Sequence, residues 1–329
     1  MEIEFNMDAR EEARLESIGV ATFGPPLAAS NREMSSADRA ELVEGVARVL
    51  ASDYVFPDVA RKMAEKVRAA LKAGDYDALT GKAAIAARLT EDLRSVSKDR
   101  HLGVRFQPEG PGGGGVNLTP QGDEASRANF AFKKVEHLDG NIGYLRLDLF
   151  HDSPEAMKTA DAALAFLRNV DALVIDLRHN GGGSPAMIRH ITSYFFETRT
   201  HLNSMVDRTG KVVAEFWTGD VPGTKFRADL PIYVLTSSYS FSGAEEFAYN
   251  LKSLKRATIV GETTGGGAHP VRPHRINDRF VVGVPFQRAM NPITRTNWEG
   301  VGVEPDVKAQ AEAALDKALQ LARKAIDRP

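Results

Sequence analysis

A serine at a predicted strand-to-helix turn is the residue of this chain best placed to act as a nucleophile. The stretch from Pro231 to Tyr249 begins with an apolar, β-rich run, Ile232 to Leu235, which is typical of a buried strand. From Gly243 onward, apolar residues recur at helical spacing. Ser242 lies at the N-terminal end of that predicted helix, where free N–H groups can stabilise an oxyanion. Ser242 is therefore the candidate nucleophile.

The same residues also match a helix-capping pattern. Ser242 is followed three positions later by Glu245, the S-x-x-E arrangement in which a hydroxyl and a carboxylate cap the first turn. On this motif alone the capping interpretation is favoured, because short motifs often match by chance. The nucleophile interpretation depends on partners elsewhere in the chain.

A glycine-rich turn follows a second predicted strand, residues 172–177. The segment Asp176-Leu-Arg-His-Asn-Gly-Gly-Gly183 can point backbone N–H groups at an anion, since no Cβ stands in the way. It could supply half of an oxyanion hole, form a plain strand-to-helix connection, or cradle a phosphate. The phosphate interpretation is weak, because the lysine of a phosphate loop and the spacing of a dinucleotide fingerprint are both missing.

A nucleophilic serine needs a general base, and lysines of its own helix cannot serve. Lys252 and Lys255 lie two or more turns beyond Ser242, at least about 15 Å away. Spacing does not choose among the histidines, although His101 and His269 lie at junctions rich in turn residues. No pair has the H-x-x-x-H spacing of a metal site, so neither a metal nor another cofactor is indicated. The histidines are His101, His137, His151, His179, His190, His201, His269 and His274.

The elements that must position these residues divide the chain into three parts. Residues 1–33 form a predicted N-terminal extension, and 34–98 a small helical domain with helices from Ser36, from Pro57 and from about Tyr76 to Val96. Residues 99–329 form a predicted α/β domain. It contains a glycine-rich loop at 107–127 and, from 154 onward, helices alternating with strands, apart from an excursion at 203–230. That rhythm is typical of a sheet covered by helices.

Composition excludes several classes of function. The 329 residues carry a formal net charge of −2 and no cysteine, which removes thiol catalysis, disulfides and cysteine-based zinc sites. No basic run indicates a nucleic-acid partner, and no apolar run approaches the ~20 residues of a membrane span. The acidic N-terminus lacks signal-peptide features, so the chain as given is expected in the cytoplasm; an exported form without its signal would look the same. The oligomeric state is left open.

Four motifs in order resemble the S41 serine peptidases, the family of the C-terminal processing peptidases and the tricorn core. The resemblance implies a crotonase-like β/α sheet domain, with Ser242 as the nucleophile and Gly243 supplying one oxyanion N–H. The turn at Gly182 and Gly183 would supply the other. The motifs are D-L-R-x-N-x-G-G (Asp176 to Gly183), S-x-S-G-A-E (Ser240 to Glu245), G-E-x-T (Gly261 to Thr264) and G-x-x-P-D (Gly302 to Asp306).

The resemblance also chooses a base. One branch of the family uses a Ser-Lys dyad with its lysine in the Gly-rich segment after G-E-x-T, but Thr264 to His269 reads T-G-G-G-A-H. The tricorn-like branch uses Ser, His and Glu. Its D-x-H element matches Asp99-Arg-His101, and its glutamate matches Glu299. The resemblance thus implies His101 as general base and Glu299 as the group orienting the imidazole, with His269 and Ser240 as possible pocket residues.

A departure from the family leaves a second function open. The PDZ module that many members carry has no room between His101 and the sheet, where the Gly112–Gly115 loop stands. The segment Gly265 to Pro270 is most similar to retinoid-binding relatives such as interphotoreceptor retinoid-binding protein. The sequence therefore predicts a serine peptidase acting on peptides or proteins. The alternative is a non-catalytic binding protein for a retinoid or fatty acid.

Overall fold

The computed structural model describes residues 34–107 and 122–327. The predicted N-terminal extension and the Gly112–Gly115 loop lie outside the described residues. The helices are α1 (Ser36–Asp53), α2 (Pro57–Ala73), α3 (Lys82–Ser97), α4 (Gly122–Arg127), α5 (Pro154–Phe166), α6 (Pro185–Ser193), α7 (Gly243–Ser253) and α8 (Ala314–Ile326). The strands are β1 (Gly103–Phe106), β2 (Phe132–Leu138), β3 (Ile142–Leu147), β4 (Ala172–Asp176), β5 (His201–Asp207), β6 (Val212–Trp217), β7 (Ile232–Thr236), β8 (Thr258–Gly261), β9 (Val271–Arg275), β10 (Phe280–Pro285), β11 (Gln287–Met290) and β12 (Val307–Lys308).

The central sheet confirms the predicted α/β architecture. Its strand order is β12-β8-β7-β4-β3-β2, and all neighbours are parallel except the β2–β3 hairpin. Strands β4 and β7 are buried at every position, which explains their continuous apolar runs. Because β4 and β7 are parallel neighbours, the turns that follow them meet at the same edge of the sheet. That edge carries both the glycine turn and Ser242.

Helices cover both faces of this sheet. Alternate residues of a strand point to opposite faces, so Ile175 packs with α5, α6 and α7 while its neighbour Val174 packs with α8. Helix α8 makes its contact through a row of alanines at i, i+4 spacing, Ala314, Ala318 and Ala322, all fully buried. The predicted packing of the last helix on the sheet is confirmed.

The N-terminal helices share a hydrophobic core with strands from later in the chain. Helices α1 to α3 bury Leu42, Met63 and Leu89 against β1 and β10 of a three-stranded sheet, order β1-β10-β9. The third helix begins at Lys82, later than predicted, because Gly81 before it has a φ of 95°, which a helix does not allow. The Tyr76 hydroxyl in the preceding turn donates to Asp92 of the helix (2.9 Å). The division of the chain at residue 98 stays a prediction.

A third sheet, also of three strands, occupies part of the predicted excursion at 203–230. It has the order β11-β5-β6, with antiparallel pairing throughout. Its central strand β5 is buried at five consecutive positions, 202–206, and so brings Asn203 and Met205 towards the site described below. Over the described ranges, no helix combines the length and the apolar character that crossing a membrane requires.

Replacing Leu89 by alanine tests whether the helical part and the sheet unfold together. Leu89 is fully buried, and such a truncation in a packed core costs about 2–5 kcal/mol of unfolding free energy. The chain has two tryptophans, Trp217 and Trp298, both outside the helical part. If the shared core makes one cooperative unit, the substitution will shift the denaturant midpoint equally whether unfolding is monitored by tryptophan fluorescence or by circular dichroism.

The control is Val301→Ala, which shortens an apolar side chain that is 72% exposed and is expected to change stability by less than about 0.5 kcal/mol. A shift seen only by circular dichroism, with the fluorescence transition unchanged, would instead show that the helical part unfolds on its own.

Candidate functional site

Ser242 occupies a strained backbone conformation between β7 and α7. Its φ is 52° and its ψ is −116°, a region that a residue with a Cβ rarely adopts. Such a conformation costs on the order of 1–3 kcal/mol and persists only where the surroundings impose it. Ser242 and Glu245 form a capping box: the Ser242 N–H donates to Glu245 Oε2 (2.8 Å), and the Ser242 side chain faces the backbone N–H of Glu245. The capping arrangement that the motif predicted is therefore present, although the hydroxyl makes no side-chain cap hydrogen bond of full geometry.

Glu245 holds the nucleophile turn against the Gly-rich segment that follows β8. Its carboxylate is fully buried and accepts hydrogen bonds from four groups of two separate segments. Burial raises the pKa of Glu245 to about 7, and these hydrogen bonds oppose the rise. The donors are Ser242 N (2.8 Å), Thr264 Oγ1 (2.5 Å), Gly266 N (2.6 Å) and Gly267 N (2.8 Å).

The charged residues of the D-L-R motif are structural. The Arg178 guanidinium donates to both oxygens of the buried Asp176 carboxylate, and the Tyr144 hydroxyl donates to one of them (2.6 Å). Burial alone would raise the pKa of Asp176, but these bonds lower it below its ordinary value. The bonds fix the end of β4 from which the glycine turn departs.

The glycine turn packs directly on the nucleophile turn. A Cβ on Gly182 would lie 2.8 Å from Ser242 Cβ, and its φ of +117° suits only glycine. The N–H of Gly182 donates to Asn180 Oδ1 (2.8 Å), so the predicted oxyanion contribution of Gly182 is already used inside the turn. Within the described part of the chain, the N–H groups of Gly183 and Gly243 make no hydrogen bond. These two are the free backbone donors beside Ser242.

His101 lies in the same cavity as Ser242, but its imidazole lacks a hydrogen-bonding partner on one side. The ring packs against Phe241 with centroids 4.7 Å apart, and its Nδ1 is buried without a partner among the described residues. Its backbone N–H donates to Asp99 Oδ1 (3.0 Å). Burial lowers the pKa of His101 to about 4, and the charge of Asp99 opposes the shift. The imidazole is therefore neutral at pH 7.

A second histidine forms a carboxylate–imidazole cluster beside His101. Nδ1 of His269 lies 2.7 Å from Asp99 Oδ2 and 3.5 Å from Glu299 Oε2. Burial alone would lower the pKa of His269, but the two acids raise it above its ordinary value. Burial and the charge of Asp99 raise the pKa of Glu299 to about 7. The helical part reaches this cluster through Tyr54, whose hydroxyl donates to Asp99 (3.3 Å).

Glu299 does not form the predicted hydrogen bond with the imidazole of His101. Its Oε2 accepts from Ala268 N (2.6 Å) and lies 3.5 Å from Nδ1 of His269, while Nδ1 of His101 and Oε1 of Glu299 have no hydrogen-bonding partner among the described residues. The orienting role of Glu299 stays a prediction. The ligand atoms of Asp99, His269 and Glu299 all lie within 4.8 Å of one another, a spacing that could also hold a metal ion. The short Nδ1 to Oδ2 distance is instead that of a charge-assisted hydrogen bond.

One cavity of about 660 Å³ connects these groups, and most of its surface is apolar. It is lined by Ser242, Gly183, Gly243, His101 and His269, and also by residues of β5 and α7. The pocket role of His269 stays a prediction. Ser240 is not among the lining residues: it is fully buried, and its hydroxyl donates to Leu177 O (2.7 Å) and accepts from Ser237 N. Ser240 supports the turn from beneath.

Sequence reasoning missed two features of this cavity. The contact between Asp99 and His269 joins residues 170 positions apart, so no local sequence pattern predicts it. The buried carboxylate of Glu246 also lines the cavity, although in the sequence it looks like an ordinary acidic residue in the first turn of a helix. Its position within the first turn of the helix that follows Ser242 was the available signal.

Comparison with protein families gives two matches to the chain. The model of peptidase family S41 matches residues 141–309. The model of the N-terminal domain of peptidase S41 in eukaryotic IRBP matches residues 35–127. The first match covers the chain from β3 to β12, and the second covers helices α1 to α4 and strand β1.

Curated relatives and solved structures agree with these matches. A chloroplastic C-terminal processing peptidase of Tetradesmus obliquus is 30% identical over 176 residues, 52% of this chain and 36% of that protein. Putative tricorn protease homolog 2 of Streptomyces coelicolor is 29% identical over 195 residues, 56% of this chain and 15% of that protein. The chain thus spans about a third or less of the length of these relatives.

Among solved structures, a putative peptidase from Parabacteroides merdae has a TM-score of 0.61 at 19% identity, covering 86% of this chain and 96% of its own. The photosystem II D1 C-terminal processing protease has a TM-score of 0.53 at 17% identity, covering 90% and 98%. At these identities the likeness establishes the fold. It is the α/β fold of this family with its N-terminal helices.

Replacing Glu245 by glutamine tests the four-donor site. The amide group would turn its two N–H donors towards backbone N–H groups that now donate to the carboxylate, leaving buried donors unpaired. We expect a loss of about 2–5 kcal/mol in unfolding free energy by denaturant titration. Glu304→Gln is the matched control, because that carboxylate is exposed and forms a surface ion pair with Lys308 (2.8 Å). A loss below about 0.5 kcal/mol in Glu245→Gln would contradict the structural role of this carboxylate.

Proposed function

The chain belongs to peptidase family S41, and we propose on that premise that it is a serine peptidase that hydrolyses peptide bonds through Ser242. The observation that carries the proposal is the strained turn. Ser242 has a positive φ at the start of α7 and stands beside two unpaired N–H groups, those of Gly183 and Gly243. Strain of this kind clusters at functional sites, and a plain helix cap does not require it.

The chemistry follows from these positions. The Ser242 hydroxyl attacks the carbonyl carbon of the scissile peptide, and the developing oxyanion is received by the N–H groups of Gly183 and Gly243. Donors placed in advance for that charge are worth on the order of 10² to 10³ in rate each. The N-terminal end of α7 adds a favourable dipole at the same point. An acyl-enzyme forms as the amine leaves, and water then releases the acid.

His101 is the proposed base. Its imidazole is neutral at pH 7, so it can accept the Ser242 proton and pass it to the leaving amine. The ring occupies space in the Gly-rich segment after G-E-x-T: a Cβ on Gly267 would lie 2.6 Å from His101 Cε1. In the Ser-Lys branch of the family this segment provides the base. In this chain the segment lacks a lysine, and its glycines leave space for the imidazole of His101.

The acidic cluster beside His101 would stabilise the imidazolium that forms during the reaction. The negative charge of Asp99 raises the pKa of His101 and so favours its protonated form, and the Asp99 carboxylate also accepts a hydrogen bond from the His101 backbone N–H. Glu299 contributes negative charge to the same cluster through His269. In this proposal Glu299 therefore acts on His101 at a distance, whereas the sequence predicted a direct contact.

A second candidate function is supported by the shape of the cavity. A volume of about 660 Å³ with a mainly apolar surface suits a small hydrophobic ligand. The match of residues 35–127 to a domain of eukaryotic IRBP points in the same direction. On this alternative the chain binds a retinoid or a fatty acid and Ser242 is chemically inert.

A fluorophosphonate probe distinguishes the two functions. An activated serine is expected to react covalently, adding the probe mass to the peptide that contains Ser242, while Ser242→Ala remains unlabelled. Heat-unfolded protein is the control for non-specific reaction. Folded protein that stays unlabelled but binds a fluorescent fatty acid would support the binding function and contradict the peptidase.

The pH dependence of labelling identifies the base. Because the pKa of His101 is lowered to about 4, the neutral form grows as pH rises through about 4, and the labelling rate should reach its plateau by about pH 6. In His269→Gln the acid limb is expected to move upward, since a positive charge that lowers the pKa of His101 is removed. In His101→Gln the rate should fall on the order of 10³-fold or more. An acid limb above pH 6.5 that vanishes in His269→Gln would transfer the role of base to His269.

A further inference from the structure

Glu246 lies one helical turn beyond the nucleophile and faces the same cavity. Its backbone N–H donates to Ser242 O (3.0 Å), the first i+4 bond of α7. Both residues line the cavity of about 660 Å³. Glu246 retains only 5% of its surface exposed, so its carboxylate is almost completely buried at the wall of this cavity.

The surroundings of Glu246 contain polar groups but no cation. In the described part of the chain, Glu246 takes part in no ion pair, and its polar neighbours are the amides of Asn203 on β5 and Asn250 on α7. Burial raises the pKa of Glu246 to about 7, and the two amides oppose the rise. Both amides lie near enough to the carboxyl to oppose the rise as hydrogen-bond donors, but their buried Nδ2 atoms do not reach full hydrogen-bond geometry with any described residue. The oxygen ends are fixed: Asn203 Oδ1 accepts from Met290 N (3.1 Å) and Asn250 Oδ1 from Asn291 Nδ2 (3.3 Å).

A buried carboxylate without a cation is costly to the fold, and the neighbouring Glu245 shows what a structural carboxylate looks like here. Glu245 accepts four hydrogen bonds, two on each oxygen, whereas Glu246 has only incompletely paired amides nearby. The fold thus maintains an acidic group that opens to the cavity and has no internal partner of opposite charge. A cationic ligand would supply that partner.

We propose that Glu246 forms the acidic end of a substrate pocket that takes a lysine or arginine side chain, so that the peptidase cuts after basic residues. The choice of substrate position rests on the proposed function, because the residue whose carbonyl is attacked carries its side chain beside Ser242. Glu246 is four residues along α7, about 6 Å at 1.5 Å per residue, which the stem of a lysine side chain can bridge.

The rest of the cavity suits such a side chain. Met205 and Trp298 supply apolar surface for the aliphatic stem, and a single carboxylate at the end of an apolar pocket selects a basic head group. The other charged side chains in the lining do not compete for that place. Lys133 is exposed, His269 is paired with Asp99 (2.7 Å), and Asp148 is paired with Arg146 (2.9 Å).

The experiment compares peptides that differ only at the residue before the scissile bond, which is lysine, arginine or the uncharged norleucine. Wild type is expected to prefer lysine and arginine. Glu246→Gln keeps the shape and removes the charge, so kcat/KM for the lysine peptide should fall on the order of 10²-fold and that for norleucine by less than about 3-fold. Asp148→Asn removes a carboxylate of the same cavity and should leave the lysine-to-norleucine ratio unchanged within about 2-fold. A wild type that prefers norleucine, or an equal loss on both peptides in Glu246→Gln, would overturn the inference.

A binding measurement separates this inference from the peptidase proposal. Agmatine, an alkylguanidine, is titrated into Ser242→Ala protein by calorimetry, with butanol as an uncharged control. If the Ser242→Ala protein binds agmatine, and the double variant that also carries Glu246→Gln binds it with at least tenfold lower affinity, the cation pocket is supported. This holds even if no peptide is cleaved and no probe labels Ser242. Absence of agmatine binding overturns the pocket, while probe labelling of Ser242 would leave the peptidase proposal standing.

Discussion

The site depends on one fully buried carboxylate, that of Glu245. A serine with positive φ returns to a relaxed conformation unless its surroundings prevent it, and the bond from Ser242 N to Glu245 is the restraint seen here. The same carboxylate binds Thr264, whose hydroxyl oxygen also accepts from Val303 N (2.7 Å). Three of the four motifs in the chain are thus joined at one group: the nucleophile turn, G-E-x-T and G-x-x-P-D. Their separation in sequence hides the fact that they form one hydrogen-bonded unit.

Neighbouring buried acids differ in their partners, and the partners decide what each acid can do. Glu245 accepts hydrogen bonds from three main-chain N–H groups and one hydroxyl, and it holds the nucleophile turn in place. Asp99 is paired with the imidazole of His269 and so places charge close to His101 without blocking the ring. Glu246 has neither a full set of donors nor a cation, and it alone of the three is left to interact with a molecule from outside. The three residues have the same chemistry and would be indistinguishable by composition.

The features that sequence predicted are those governed by neighbours along the chain. The strand, turn and helix around Ser242 follow from local apolar spacing, and the meeting of the two turns follows from the adjacency of parallel strands. What sequence could not supply depends on pairing between distant segments. The hydrogen bond between His269 and Asp99, 170 positions apart, and that between Gly266 and Glu245, 21 positions apart, are examples. Burial also set the pKa of His101, since the residue type alone gives no measure of how far it is removed from water.

The close approach of Gly267 to His101 has a consequence for how this chain can change over evolutionary time. A Cβ at position 267 would lie 2.3 Å from Phe241 Cζ and 2.6 Å from His101 Cε1, so a side chain there requires both packed rings to move. Substitutions at positions 101, 241 and 267 are therefore coupled, and the effect of each depends on which residues the other two carry. A lineage that placed a side-chain base in the Gly-rich segment would have to change more than one of these positions. Sequence variation at the three positions should accordingly be correlated.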